Sequence, residues 1–129
     1  MLPELEARVN EITGTVIGAA MMVHSALGPG LLESAYEACL KFELISRGLR
    51  VESQLELPII YRGFQVECGY RIDLLVEDLV VVELKAVERI ANIHVVQLLS
   101  YLKLSGKPVG LLINFHELHL KDGIKRLAI

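Results

Sequence analysis

Tyr70-Arg71-Ile72-Asp73-Leu74-Leu75-Val76, the charged tip Glu77-Asp78, and then Leu79-Val80-Val81-Val82-Glu83-Leu84-Lys85 form the stretch that decides the fold. Both arms read as β-strands. The second is apolar on both faces through Val82, which predicts a strand in the interior of a sheet. Beyond Tyr70-Arg71 at the start, three charged residues, Asp73, Glu83 and Lys85, interrupt arms that are otherwise aliphatic. Burying such groups costs several kcal/mol unless they are paired or hold a cation, so their presence needs an explanation. Glu83 and Lys85 are two apart and share one face of their strand.

Whether Asp73 joins them depends on the loop. A two-residue turn at Glu77-Asp78 pairs Asp73 with Val82 and throws Asp73 and Glu83 onto opposite faces, whereas an odd-numbered loop or a bulge pairs Asp73 with Glu83. With the odd loop, two carboxylates and an ammonium converge. The carboxylates are then expected to bind a hard divalent cation, Mg2+ or Mn2+, through oxygen. Lys85 is expected to orient or activate water beside a scissile phosphate and offset its developing charge. The alternative is a structural ion pair between Glu83 and Lys85, with Asp73 capping a turn.

Working outward, the segment from Arg50 to Cys68 reads as short strands, Arg50 to Leu57, Pro58 to Tyr61 and Phe64 to Cys68, with Arg62-Gly63 as a turn. Before it, apolar residues at Val9, Ile12, Val16, Ala19, Ala20, Val23 and Leu27 recur at steps of three or four and predict an amphipathic helix from Leu5 to Leu27, ended by Gly28-Pro29-Gly30. A second helix is predicted from Leu31 to Arg47, with Gly48 at its exit. After the acidic arms, Asn92 is expected to cap a helix from Ile93 to Leu104. Val109 to Phe115 then reads as another buried strand, and a turn at Lys121-Asp122-Gly123 leads into a last strand, Ile124 to Ile129. The order helix, helix, several antiparallel strands, helix, strand, strand predicts an α/β domain over residues 1–129, a central mixed sheet flanked by helices.

On the helix after the acidic arms, His94, Gln97 and Tyr101 line one face. Gln97 and Tyr101 are placed to hydrogen-bond water, phosphate or the lysine, while His94 is read as capping its own first turn. Glu33 lies in the first turn of the second helix, where the dipole favours a carboxylate, and Tyr36 reads as core.

The 129 residues carry 13 basic and 16 acidic side chains, a net charge of −3, which argues against coating nucleic acid through bulk charge alone. Lys103, Lys107, Lys121, Lys125 and Arg126 concentrate five cations near the carboxy end, so a phosphate-facing surface is expected to draw on that half. No apolar run reaches the roughly 18 residues that span a bilayer, and the acidic start Met1-Leu2-Pro3-Glu4 lacks the features of a secretion signal. A cytoplasmic protein without membrane association is expected. Cys39 and Cys68 lack metal-type spacing and read as buried, reduced thiols.

Several landmarks recur together: Val23-His24, Leu27-Gly28-Pro29-Gly30-Leu31-Leu32-Glu33, Tyr70-Arg71-Ile72-Asp73, Glu83-Leu84-Lys85-Ala86, Gln97-Leu98-Leu99-Ser100-Tyr101-Leu102 and Leu111-Leu112-Ile113-Asn114-Phe115. With them the sequence closely resembles the GxxExxY family of the PD-(D/E)XK nuclease superfamily, whose name describes Gly30, Glu33 and Tyr36. The resemblance implies a three-layer restriction-endonuclease-like core. It also implies Asp73 and Glu83 as metal-binding acids, Lys85 as catalytic lysine, Glu33 as the acid of the first core helix, Gln97 with Tyr101 as a Q-x-x-x-Y element, and His24 as a counterpart of a histidine that often precedes the sheet. The function expected is metal-dependent hydrolysis of DNA or RNA phosphodiesters, with a catalytically silent nucleic-acid- or protein-binding module on the same fold as the alternative. A homodimer that assembles a long substrate groove is a further expectation.

Overall fold

The computed structural model describes residues 1–129. Its elements follow the chain as helix α1 (Pro3–Leu27), helix α2 (Glu33–Ser46), strands β1 (Val51–Glu56), β2 (Ile59–Tyr61), β3 (Phe64–Val66), β4 (Arg71–Val76) and β5 (Val80–Lys85), helix α3 (Asn92–Ser105), and strands β6 (Val109–Asn114) and β7 (Ile124–Ala128). The main sheet has the order β1-β4-β5-β6-β7. Only β5 and β6 are parallel, joined by the crossover through α3; every other pair is antiparallel. The sheet is therefore mixed, and β5 lies at its centre, as its two-sided apolar run requires.

Helices cover both faces. Val9, Ile12, Val16, Ala19, Ala20 and Val23 of α1, with Tyr36, Leu40 and Leu44 of α2, pack on Leu74, Val76, Val80, Val82, Leu84, Leu111 and Ile113 of the sheet. On the other face Leu98, Tyr101 and Leu102 of α3 pack on Ile72, Leu75, Val81 and Leu112. Gly110 lets α3 approach closely, because a Cβ there would lie 2.8 Å from Leu98 Cδ1. The result is an α/β fold of three layers, consistent with a restriction-endonuclease-like core.

β2 and β3 form a hairpin on the expected turn at Arg62-Gly63 and pair only with each other. Three local features depart from the sequence expectations. Asn92 is the first residue of α3 rather than its cap; Ala91 holds the cap position and its N–H donates to His94 Nδ1 at 3.0 Å. The expected turn at Lys121-Asp122-Gly123 is a short 3₁₀ helix from Leu120 to Gly123. Cys39 is half-buried, but Cys68 is exposed beyond the end of β3, because the small hairpin offers it no second layer to pack under.

Candidate active site

The loop question is settled by the register Leu74↔Val82, Leu75↔Val81, Val76↔Val80. Three residues, Glu77, Asp78 and Leu79, separate the strands. Glu77 and Asp78 both have positive φ (52° and 56°), and the Leu79 N–H donates to the Val76 carbonyl at 3.0 Å, as in a type I′ turn. Leu79 is the extra residue that shifts the register by one, and it packs against the α1/α2 core. Continued one step, this register sets Asp73 opposite Glu83.

There the backbone ladder stops and carboxylates replace it. The Asp73 N–H donates to Glu83 Oε1 at 3.2 Å, and the Leu84 N–H donates to Asp73 Oδ2 at 2.9 Å. Glu83 lies on the α3 side of the sheet, since its neighbours Val82 and Leu84 belong to the opposite core. It is only 5% exposed. Burial, and next the Asp73 carboxylate beside it, push its pKa up to about 9. Without a cation, Glu83 therefore carries a proton at neutral pH.

Lys85 does not close this site as an ion pair. It is half-buried at the end of β5 and takes part in none of the salt bridges of the molecule. Its charge is the weakest of the influences on Glu83. The strand end that carries it is fixed by its neighbour β6. The Phe115 N–H donates to the Lys85 carbonyl at 2.9 Å, and the fully buried Asn114 side chain accepts the Val87 N–H and donates to the Val87 carbonyl at 3.1 and 2.9 Å.

A residue that sequence reasoning missed, Gln54, completes the surroundings of Asp73. Its Nε2 donates to Glu37 Oε1 at 2.7 Å and to Asp73 Oδ1 at 3.3 Å. Gln54 has φ of 53° in the middle of β1, opposite Asp73, and here both strands change face. On β4, Leu74 packs in the α1/α2 core but Ile72 in the α3 core; on β1, Val51 and Leu55 divide in the same way. This twist places Asp73 between the two layers. Glu37, one helical turn after Glu33, is held above the usual carboxylate range first by burial, against which the Gln54 hydrogen bond works, with the charges of Asp73 and Glu33 adding to the rise. A one-in-two strand pattern gives no sign of a left-handed residue at Gln54, so no signal in the sequence could have found it.

The other sequence-derived residues lie around this pair. Tyr101 is buried on α3, and its hydroxyl pKa is raised by burial first and then by the charges of Glu83 and Asp73. Gln97, one turn before it, lines a groove along α3 together with Tyr101. Glu33 is exposed at the start of α2, where it shares a pocket of about 390 Å³ with Gly30, Ala86 and His116. Its helix is set by Tyr36, whose hydroxyl donates to the Gly28 carbonyl and accepts the Leu31 N–H, clasping the Gly28–Leu32 loop. His24 is not drawn to the acids: its Nε2 lies 2.7 Å from the Glu117 carbonyl oxygen, which ties α1 to the loop after β6.

A family model of the PD-(D/E)XK nuclease superfamily matches residues 10–127. The chain belongs to the PD-(D/E)XK nuclease superfamily. No curated protein and no solved structure matches it. Asp73 and Glu83 lie opposite each other on paired strands, and Lys85 stands two residues beyond Glu83 on β5. No three His, Cys, Asp or Glu side chains gather closely enough to hold a metal by themselves. Mg2+, however, is commonly held by one or two carboxylates together with water and substrate phosphate. To be held there, such a cation would have to displace the Glu83 proton, which leaves two carboxylates as oxygen donors.

Proposed function

We propose that this superfamily member is a Mg2+- or Mn2+-dependent nuclease of the GxxExxY branch, hydrolysing phosphodiester bonds of DNA or RNA. The observation that carries the reading is the Asp73–Glu83 carboxyl pair with an uncommitted lysine, Lys85, two residues further along the same strand.

Asp73 and Glu83 hold the cation; when bound, it polarises a phosphoryl oxygen and lowers the pKa of water. Lys85 orients the attacking water and offsets charge that builds at phosphorus. Its ammonium is free to do so because no carboxylate neutralises it. Glu33 lies at the approach to the strand end as a third acid. Tyr101 and Gln97, on the opposite helix, supply a hydroxyl and an amide for hydrogen bonding to phosphate or water.

The test is cleavage of labelled single- and double-stranded DNA and RNA by the purified chain with Mg2+ or Mn2+. Cation-dependent cutting is expected, with Lys85→Ala lowering the rate at least about 10²–10³-fold while melting stays nearly unchanged. Wild-type rates in Lys85→Ala would overturn the role of the lysine. No cutting of any substrate by the folded protein would assign the chain to the silent binding module instead.

A further inference from the structure

Beside the acidic pair, a groove of about 490 Å³ runs along α3 between the helix and the start of the β2–β3 hairpin. Ile59, Tyr70, Ile93, Val96, Tyr101 and Leu104 give it a mainly apolar wall. Tyr101 belongs both to this wall and to the surroundings of Glu83 and Asp73, so the groove borders the candidate active site. Tyr70 meets Tyr101 edge-to-face, with ring centroids 6.2 Å apart, and remains 42% exposed. The hairpin extends the apolar surface outward, since Tyr61 and Phe64 are cross-strand partners and both are largely exposed. Polar groups sit on the helix side: Gln97, Ser100 and one cation, Lys103.

These features differ from what an intact duplex needs. A duplex hides its base faces and presents phosphates, which call for a dense basic track. This wall instead offers aromatic and aliphatic surface with one lysine, in a chain of net charge −3. An unpaired strand exposes the faces of its bases, and aromatic side chains hold such faces by stacking with little regard to sequence.

We propose that the groove seats unpaired bases of single-stranded nucleic acid, with Tyr70 as the stacking platform and Lys103 against the backbone, and so delivers a single strand to the acidic pair. The proposal rests on the nuclease reading for the fate of the strand, but its test is independent of cutting. Binding of a fluorescent single-stranded oligonucleotide is measured by polarisation without divalent cation, beside its duplex and a strand of the same length lacking bases. The single strand is expected to bind at least about tenfold more tightly than either competitor. Ile93→Glu and Tyr70→Ser are each expected to weaken it by about tenfold, whereas Phe42→Ser, on the opposite helical layer, leaves it unchanged. Ile93 is 67% exposed in the first turn of α3, so a glutamate there leaves the fold intact.

Equal binding of duplex or of the base-free strand would overturn the proposal, as would a dimer in light scattering that Ile93→Glu splits, which would make the groove a contact between copies. Cleavage with Mg2+ is then scored separately. Strand binding without cutting keeps the groove and rejects the nuclease, while cutting that is indifferent to strandedness and to both groove variants does the reverse.

Discussion

Two glutamates on one hairpin have opposite fates. At the turn between β4 and β5, Glu77 accepts the Arg50 N–H at 2.7 Å and pairs with the guanidinium groups of Arg8 and Arg50. The backbone hydrogen bond from Arg50, above all, holds its carboxyl below the usual range. At the other end of the same strands, Glu83 faces a second carboxylate, and Lys85 does not reach it to form an ion pair. Burial and Asp73 raise its pKa to about 9. The turn end pairs its carboxylate with guanidinium groups, while at the other end two carboxyl groups face each other with backbone hydrogen bonds but no ion-pair partner. On that contrast Glu77 is assigned to the fold and Glu83 is the one proposed for chemistry.

Exchanging each glutamate for its uncharged amide should break the comparison in reciprocal ways. Glu83→Gln is expected to lower cation-dependent cleavage by at least about a hundredfold, with melting at neutral pH at or above wild type, because the amide needs no proton taken up on folding. Glu77→Gln is expected to leave cleavage intact but to cost about 1–3 kcal/mol of stability in denaturant unfolding, through loss of a charged acceptor for the Arg50 N–H. The exposed Arg8 and Arg50 pairs add little to that figure. Cleavage lost in Glu77→Gln with Glu83→Gln active would invert the assignment.

The two groups also pull stability in opposite directions with pH. Glu83 has a folded pKa above its unfolded value, so its contribution is fully present below about pH 4.5 and declines as pH rises toward about 9. Glu77 has a folded pKa below its unfolded value, so its contribution is present above about pH 4.5 and is lost as pH falls through the folded value. Melting curves of the cation-free protein should show both slopes. Glu83→Gln should flatten the decline between about pH 4.5 and about 9, and Glu77→Gln the acid one. A saturating divalent cation should also reduce the decline attributed to Glu83, because it takes the place of the proton.

The smallest expected effect concerns Gln54. A glycine tolerates its left-handed backbone, so Gln54→Gly keeps the twist of β1 but removes the amide between Glu37 and Asp73. The Glu37 pKa, followed by carboxyl resonances in an NMR titration, should move further up, since the lost hydrogen bond lowers it in the native chain. An unchanged titration would show that the bridge carries no electrostatic weight.

Much of this frame is legible from residue pattern alone. The two-sided apolar run Leu79–Val82 places β5 in the sheet interior, and glycines at 28 and 48 end the first two helices where the chain needs positive φ. The meeting of Asp73 with Glu83 was not decidable in this way. Glu77-Asp78 reads equally well as a two-residue turn, and what makes Leu79 a third loop residue is its packing on distant helices, together with the grip of Arg8 and Arg50 on Glu77. The same holds for Gln54 and for Cys68, whose settings depend on cross-strand twist and on a hairpin that leaves the main sheet. Local pattern specifies elements, but contacts between elements specify the site.

Cation binding by the Asp73–Glu83 pair is the property on which the proposed chemistry depends. Calorimetric titration of the cation-free chain with Mn2+ at neutral pH is expected to give one saturable site that disappears in both Asp73→Asn and Glu83→Gln and persists in Glu77→Gln. Binding that survives in the first two variants, or its absence from the folded wild-type chain, would contradict the account.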